Sequence, residues 1–295
     1  MKLIQVLKLL WREIICIKDK KISFFHGNET LINKKQFDYL YRMGRNGVFE
    51  MLFYISKSDL LTLKTKDGII VETNRDYGTF IDVFLNKLYS LPFQINNDFC
   101  VFDLGMNRGY ASLFFANYPN CKEVFGFELV PKTYEWAVRN FAMNPTLVSK
   151  ITPHCFGMWN EDREIEIRFR DYDVYTTIDS LLLDSPGIKK SFKNIKSQIC
   201  NAKVKKASTE ISNILRDIPA ERMKVLKIDI EGSEYVVFED LHTHNILDEF
   251  DLIIGECHNG MDGLNKYMNN FNLIHKSKSE GLILMFTYLN NRIAL

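Results

Sequence analysis

Two stretches of this chain end in side chains that can do chemistry at one place. "VLKIDIEGSEYVVFED" (225–240) sets Asp229 and Glu231 just beyond an apolar run, and "LIIGECH" (252–258) closes another apolar run with Glu256 and His258. Carboxylates and an imidazole at neighbouring strand ends can take a proton from a weak nucleophile or hold a cation. The imidazole of His258 has an ordinary pKa of about 6.5, suited to a general base. Asp229 and Glu231 become bases if burial raises theirs. The structural alternatives are a core or capping role for His258 and a helix N-terminal carboxylate for Glu231. Asp229, Glu256 and His258 are also compatible with a divalent cation, but the spacing is not diagnostic and no metal is assigned.

A third stretch says what else meets there. In "VFDLGMNRGYAS" (101–112) an apolar run ends in Asp103, and Gly105, Asn107 and Gly109 follow at alternate positions. Glycines here let a chain turn sharply and approach a ligand. The dinucleotide fingerprint needs a glycine where Asn107 stands, because a side chain crowds a pyrophosphate. An Asn side chain instead hydrogen-bonds an amino-acid moiety, and the Asp103 charge suits an ammonium or a sulfonium. The turn therefore favours S-adenosylmethionine over NAD. "VFGFE" (124–128) ends in Glu128, which lies 23 residues after Gly105. A carboxylate at that strand end has two oxygens to accept the two hydroxyls of a ribose. The cofactor-binding set is thus Asp103, Gly105, Asn107, Gly109 and Glu128.

These stretches need strands that end side by side. From residue 99 short apolar runs alternate with helical ones: "FCVFDL", "EVFGFE", "ITPHCF", "KVLKIDI" and "DLIIGEC" read as strands, with helices such as "KTYEWAVRNFAMN" (132–144) between them. That rhythm predicts an α/β fold with a mostly parallel sheet and crossover helices. "LILMFTYL" (282–289) reads as a last strand, antiparallel to "FNLIHKS" (271–277), and "REIEIRFR" (163–170) as an exposed extra strand. Ligands of such sheets bind beyond the carboxyl ends of the strands, where strand order reverses.

Upstream, "LLTLKTKDGIIVETN" (60–74) alternates around Asp67-Gly68 as a hairpin, and "FIDVFLNKLY" (80–89) reads as a helix. Residues 1–59 are expected to form a helical extension: Leu3, Leu7, Leu10 and Ile14 share a helical face. Lys8, Arg12 and Glu13 interrupt the apolar stretch needed for a signal peptide. A helix packed on its own protein is the simpler reading of residues 1–20; contact with a membrane surface is the alternative.

Composition sets outer bounds. The chain has 295 residues, 46% of them hydrophobic, and a formal net charge of +1. That is ordinary for a globular protein and gives no electrostatic case for nucleic acid. Six cysteines without a C-x-x-C pair predict a reducing, cytoplasmic compartment. Seven lysines and no acid lie between Ile188 and Thr209. They are a solvated face or an arm that attracts an anion; few aromatics are interleaved to stack bases.

Four motifs in this order resemble the FkbM-family methyltransferases. They are "DLGMNRG" (103–109), "FELVPKTY" (127–134), "LKIDIEGSE" (226–234) and "IGECH" (254–258). Met106 and Leu129 stand where the family usually has Ala and Pro. The resemblance covers about residues 60–290, with 171–208 as a basic insertion, and implies a Rossmann-like class I methyltransferase domain over 60–295. It implies S-adenosylmethionine as cofactor and in-line transfer of a methyl group to a hydroxyl of a sugar, a glycan precursor or another small molecule, anionic and nucleotide-linked acceptors included. No nucleic-acid acceptor is expected, because "DIEG" stands where a stacking N/D-P-P-Y loop would be. A non-catalytic scaffold and an NAD-dependent oxidoreductase are the competing readings.

Overall fold

In the computed structural model the described residues are 14–18, 21–25, 49–55, 60–74, 78–169, 198–258, 260–278 and 283–293. The chain divides into two compact units, residues 1–88 with 142–145, and residues 89–141 with 146–295.

The first unit holds five strands: β1 (Ile14–Lys18), β2 (Lys21–Phe25), β3 (Phe49–Ile55), β4 (Leu60–Thr65) and β5 (Ile70–Asn74). They form an antiparallel sheet in the order β2-β1-β3-β4-β5. The β4–β5 hairpin turns at Gly68, whose φ of 87° is a glycine conformation. A helix follows as α1 (Gly78–Phe80), continued by a π-helical turn at Ile81–Leu85. The helical extension expected over 1–59 is corrected here: the parts of it that the structure describes are strands. "IICIK" is rich in β-branched residues, which favour a pleated ladder, and Ile14 and Ile17 pair across it with Phe25 and Ile22. Leu3, Leu7 and Leu10, on which the helix and the membrane alternative were based, lie outside the described residues.

The second unit is the α/β domain. Its strands are β6 (Phe99–Leu104), β7 (Cys121–Phe127), β8 (Ile151–His154), β9 (Gly157–Trp159), β10 (Arg163–Phe169), β11 (Gln198–Lys206), β12 (Met223–Ile228), β13 (Leu252–Cys257), β14 (Phe271–Lys278) and β15 (Leu284–Asn290). Its longer helices are α2 (Tyr110–Ala116), α3 (Pro131–Ala142), α5 (Ala207–Leu215) and α6 (Glu234–Thr243), with the short α4 (Pro145–Val148) after α3. Seven strands make the main sheet in the order β14-β15-β13-β12-β6-β7-β8. β8, β7, β6, β12 and β13 run parallel, and β15 is antiparallel to both its neighbours. The five core strands read from the sequence, and the antiparallel end, stand as expected.

Strand order reverses at β6. The chain leaves it through α2 towards β7 and comes back on its other side as β12. Alternation along β6 sends Cys100, Phe102 and Leu104 into the core with Leu226, Ile228, Val237 and Phe238. β9, β10 and β11 form a separate three-stranded sheet. Ile167 and Phe169 bury one face of β10 against Val130 and Ala202, as the alternation in "REIEIRFR" predicts.

Of the basic insertion, 198–206 is β11 and 207 onward begins α5; Lys189, Lys190, Lys193 and Lys196 lie outside the described residues. Its other lysines sit beside carboxylates of the same domain. Lys203 lies 3.9 Å from Glu164, Lys205 2.9 Å from Glu210, and Lys206 3.9 Å from Asp240.

Candidate active site

Two turns face one another beyond the carboxyl ends of β6 and β12. In the first, Gly105, Asn107 and Gly109 all have positive φ, at 77°, 52° and 79°. In the second, Glu231 (53°) and Gly232 (99°) do. For a glutamate this is an uncommon and costly backbone state. The glycines of the first turn are also required by packing. A Cβ on Gly105 would overlap the Asp229 carbonyl, and one on Gly109 would overlap the Phe141 ring. Their bare α-carbons let the turn pack closely on its own domain, and Gly105 also lines the cleft.

Asp103 is also placed differently from expectation. The ladder sets it opposite Lys227, and both side chains are buried with Asp103 Oδ1 3.0 Å from Lys227 Nζ. Ser112 donates its hydroxyl hydrogen bond to Asp103 Oδ2 at 2.6 Å. Lys227 donates to the Gly105 carbonyl at 2.7 Å. Burial pulls the Lys227 pKa down, but Asp103 and then Asp229 outweigh it and the ammonium is held above its usual value. Asp103 thus braces the turn from below through a lysine that sequence reasoning passed over. The signal was available: a lysine inside "VLKIDI", a core strand, needs a buried counter-charge.

Glu128 is buried at the end of β7. Its two oxygens accept the N–H groups of Asn107 and Val130, each at 2.9 Å. Burial pushes its pKa up to about 7, against the pull of those two hydrogen bonds. Asn107 Oδ1 is buried and has no hydrogen-bond partner among the described residues. A cleft runs between the turns, walled by Leu104, Phe127, Val130, Met158 and Ile230, with Glu128 and Asn107 at one side and Asp229 and Glu231 at the other.

At that acidic side four carboxylates surround one imidazole. His258 Nε2 lies 3.3 Å from Glu231 Oε2, 3.9 Å from Asp229 Oδ1 and 3.9 Å from Glu256 Oε2. His258 Nδ1 lies 2.9 Å from Glu234 Oε1. Glu234, fully buried, also accepts the N–H groups of Ile230 at 3.2 Å and Gly232 at 3.0 Å, which ties the strained turn down. Tyr89 donates to Asp229 Oδ2 at 2.7 Å. Burial lowers the His258 pKa, yet Glu234, Glu231 and Asp229 overcome it and raise it to about 10. Burial raises Glu231 well above the carboxylate range, opposed by His258 and reinforced by Asp229.

Asp229, Glu231 and His258 are therefore brought together, as expected from "LKIDIEGSE" and "IGECH". The surrounding carboxylates thus favour the protonated form of His258 over the free base while no other cation is bound. Glu234 and Tyr89 were missed. Glu234 was legible as the last acid of "LKIDIEGSE"; Tyr89 had no local signal.

The family model for the FkbM methyltransferase domain matches residues 103–274. The chain belongs to the FkbM methyltransferase family. Its members are S-adenosylmethionine-dependent methyltransferases, and the cofactor of this one is S-adenosylmethionine. The site fits it: Asn107 Oδ1 is a buried acceptor that still needs a donor, and each Glu128 oxygen keeps a second lone pair for a ribose hydroxyl.

Solved structures with similar folds include the methyltransferase FkbM from Methylobacillus flagellatus, 12% identical, with a TM-score of 0.44. That match covers 67% of this chain and 45% of the other. A putative tRNA (m1A22) methyltransferase of Streptococcus pneumoniae is 12% identical over 68% of each chain, with a TM-score of 0.39. M. capricolum TrmK, solved with S-adenosylhomocysteine, is 14% identical over 70% of this chain and 67% of its own, with a TM-score of 0.39. No curated protein sequence matches. Among the described residues no helix of this methyltransferase is long and apolar enough to cross a membrane.

Proposed function

We infer that this methyltransferase transfers a methyl group to a hydroxyl oxygen of a sugar, a glycan precursor or a comparable small polyol. The observation that carries the reading is the group of carboxylates facing the cofactor turn across one cleft. A hydroxyl is a poor nucleophile while it keeps its proton, so an acceptor group must stand beside it. S-adenosylmethionine supplies an electrophilic methyl group on a sulfonium.

The chain's own residues do the rest. Glu128 takes the ribose hydroxyls and Asn107 Oδ1 a polar hydrogen of the cofactor. Asp229 is oriented by Tyr89 on one oxygen and keeps the other, Oδ1, facing the cluster, where it can accept the acceptor's hydroxyl proton. His258, held by Glu234, offers positive charge to an oxygen that becomes negative. Apolar walls limit water, a competing nucleophile. The acidity of the mouth supports a neutral, hydroxyl-rich acceptor; an anionic or nucleotide-linked one needs added positive charge there.

The test is methyl transfer from labelled S-adenosylmethionine to a panel of free and nucleotide-activated sugars, read as a mass gain of one methyl group. Asp229→Ala is expected to abolish turnover while S-adenosylhomocysteine binding stays within a few-fold of wild type. Full activity in that variant would remove Asp229 from the mechanism. A folded protein that binds S-adenosylhomocysteine but methylates nitrogen acceptors only would overturn the hydroxyl reading.

A further inference from the structure

We propose that Asp229, Glu231 and His258 hold a divalent cation of the kind that accepts mixed carboxylate and imidazole ligands, with Mn2+ as its representative. One donor atom from each of the three lies within 4.8 Å of the others. Ligands about 2.1 Å from an octahedral ion stand about 3 Å apart when adjacent and about 4 Å apart when opposite. The separation of His258 Nε2 from Glu231 (3.3 Å) is near the adjacent value and that from Asp229 (3.9 Å) near the opposite one; Glu256 Oε2, also 3.9 Å from Nε2, borders the set.

Two independent observations point to a cation. His258 is set up as metal-bound histidines are: its far nitrogen rests on a buried carboxylate, Glu234, which leaves Nε2 as the ligand atom. The second is charge. Asp103, Asp229, Glu231, Glu234 and Glu256 are carboxylates within one small region, and the lysine there, Lys227, is committed to Asp103 and the Gly105 carbonyl. Glu234 Oε2 is buried with no hydrogen-bond partner among the described residues. In the ion-free protein that negative charge is met by protons that the cluster holds on His258 and Glu231, and a bound divalent ion takes their place and releases them.

Imidazole favours transition ions and carboxylates favour Mg2+, Ca2+ and Mn2+, so the mixed set suits a transition ion that also accepts carboxylates, and Mn2+ is the probe for that class. An ion here would take Asp229 as a ligand and would itself lower the pKa of a bound acceptor hydroxyl, in place of Asp229 as the base; that use rests on the hydroxyl reading above, whereas the ion site does not.

The experiment is a titration of the full chain with Mn2+, following the free-ion electron spin resonance signal, beside Glu231→Gln and His258→Gln. One Mn2+ per chain is expected, weakened tenfold or more in each variant, with Glu234→Gln weakening it by roughly 10–100-fold through the histidine alone. No binding by wild type up to about 1 mM, or equal binding in all variants, would overturn the proposal. S-adenosylhomocysteine titrations on the same samples report folding and separate the two readings. Cofactor binding without Mn2+ binding overturns only the ion; Mn2+ binding without cofactor binding supports the ion and counts against the cofactor cleft. Should His258→Gln fail to fold, Glu231→Gln and Asp229→Asn carry the test.

Discussion

Replacing Lys227 by Met gives a sharp test of how the cofactor turn is held. The ammonium lies 3.0 Å from Asp103 Oδ1 and 2.7 Å from the Gly105 carbonyl, with both side chains of the ion pair buried. Met fills a similar volume but leaves Asp103 charged, buried and supported only by the Ser112 hydroxyl. Removing one partner of a buried pair costs about 3–5 kcal/mol. For a domain of this size that is about 6–20 °C in melting temperature. Asp103→Asn should cost a comparable amount by stranding the lysine. The double variant removes both charges, so its cost should fall short of the sum of the two single costs by about 2 kcal/mol or more. Urea unfolding followed by the fluorescence of Trp136 and Trp159, both in the α/β unit, measures all three. Costs that add to within about 0.5 kcal/mol would refute the coupling, and with it the account of Asp103 as a brace rather than a ligand group.

Other expectations follow from the same geometry. Glu128→Ala should weaken S-adenosylhomocysteine binding about 10–100-fold by calorimetry, the worth of one or two hydrogen bonds to a charged group. The Glu128 pKa is raised from 4.5 to about 7. Its contribution to the stability of the free protein is therefore full below about pH 4.5 and lost as pH rises through 7. Cofactor affinity should run the other way, rising with pH through 7 as the carboxylate forms, and this pH dependence should vanish in Glu128→Gln. Gly105→Ala and Gly109→Ala should each lower the stability of the cofactor-free protein by more than about 2 kcal/mol, because the added carbon meets the Asp229 carbonyl or the Phe141 ring at a positive φ. Wild-type melting of either variant would return these glycines to a ligand-approach role.

Sequence patterning determined much of this protein. Short, mainly apolar stretches alternating with helical ones were enough to place the core strands of the parallel sheet. A parallel sheet gathers the strand ends at one edge, so "DLGMNRG", "VFGFE", "LKIDIEGSE" and "IGECH" had to meet. Local chemistry also told which cofactor suits a turn with Asn107 where a dinucleotide site needs glycine.

Tertiary structure alone decided what each of those residues faces. Register set Asp103 opposite Lys227, and a buried carboxylate beside a buried ammonium pairs with it rather than with a ligand. Whether a glycine's open side meets solvent or a Phe141 ring is a matter of packing that no spacing records. The raised pKa of His258 arises from acids at 229, 231 and 234, distant in sequence and adjacent in space. The strands within residues 14–55 are the remaining case: their β-branched residues pair across a ladder where a helical extension was expected. Periodicity is a local signal, whereas a ladder is stabilised by partners that only the folded chain brings into reach.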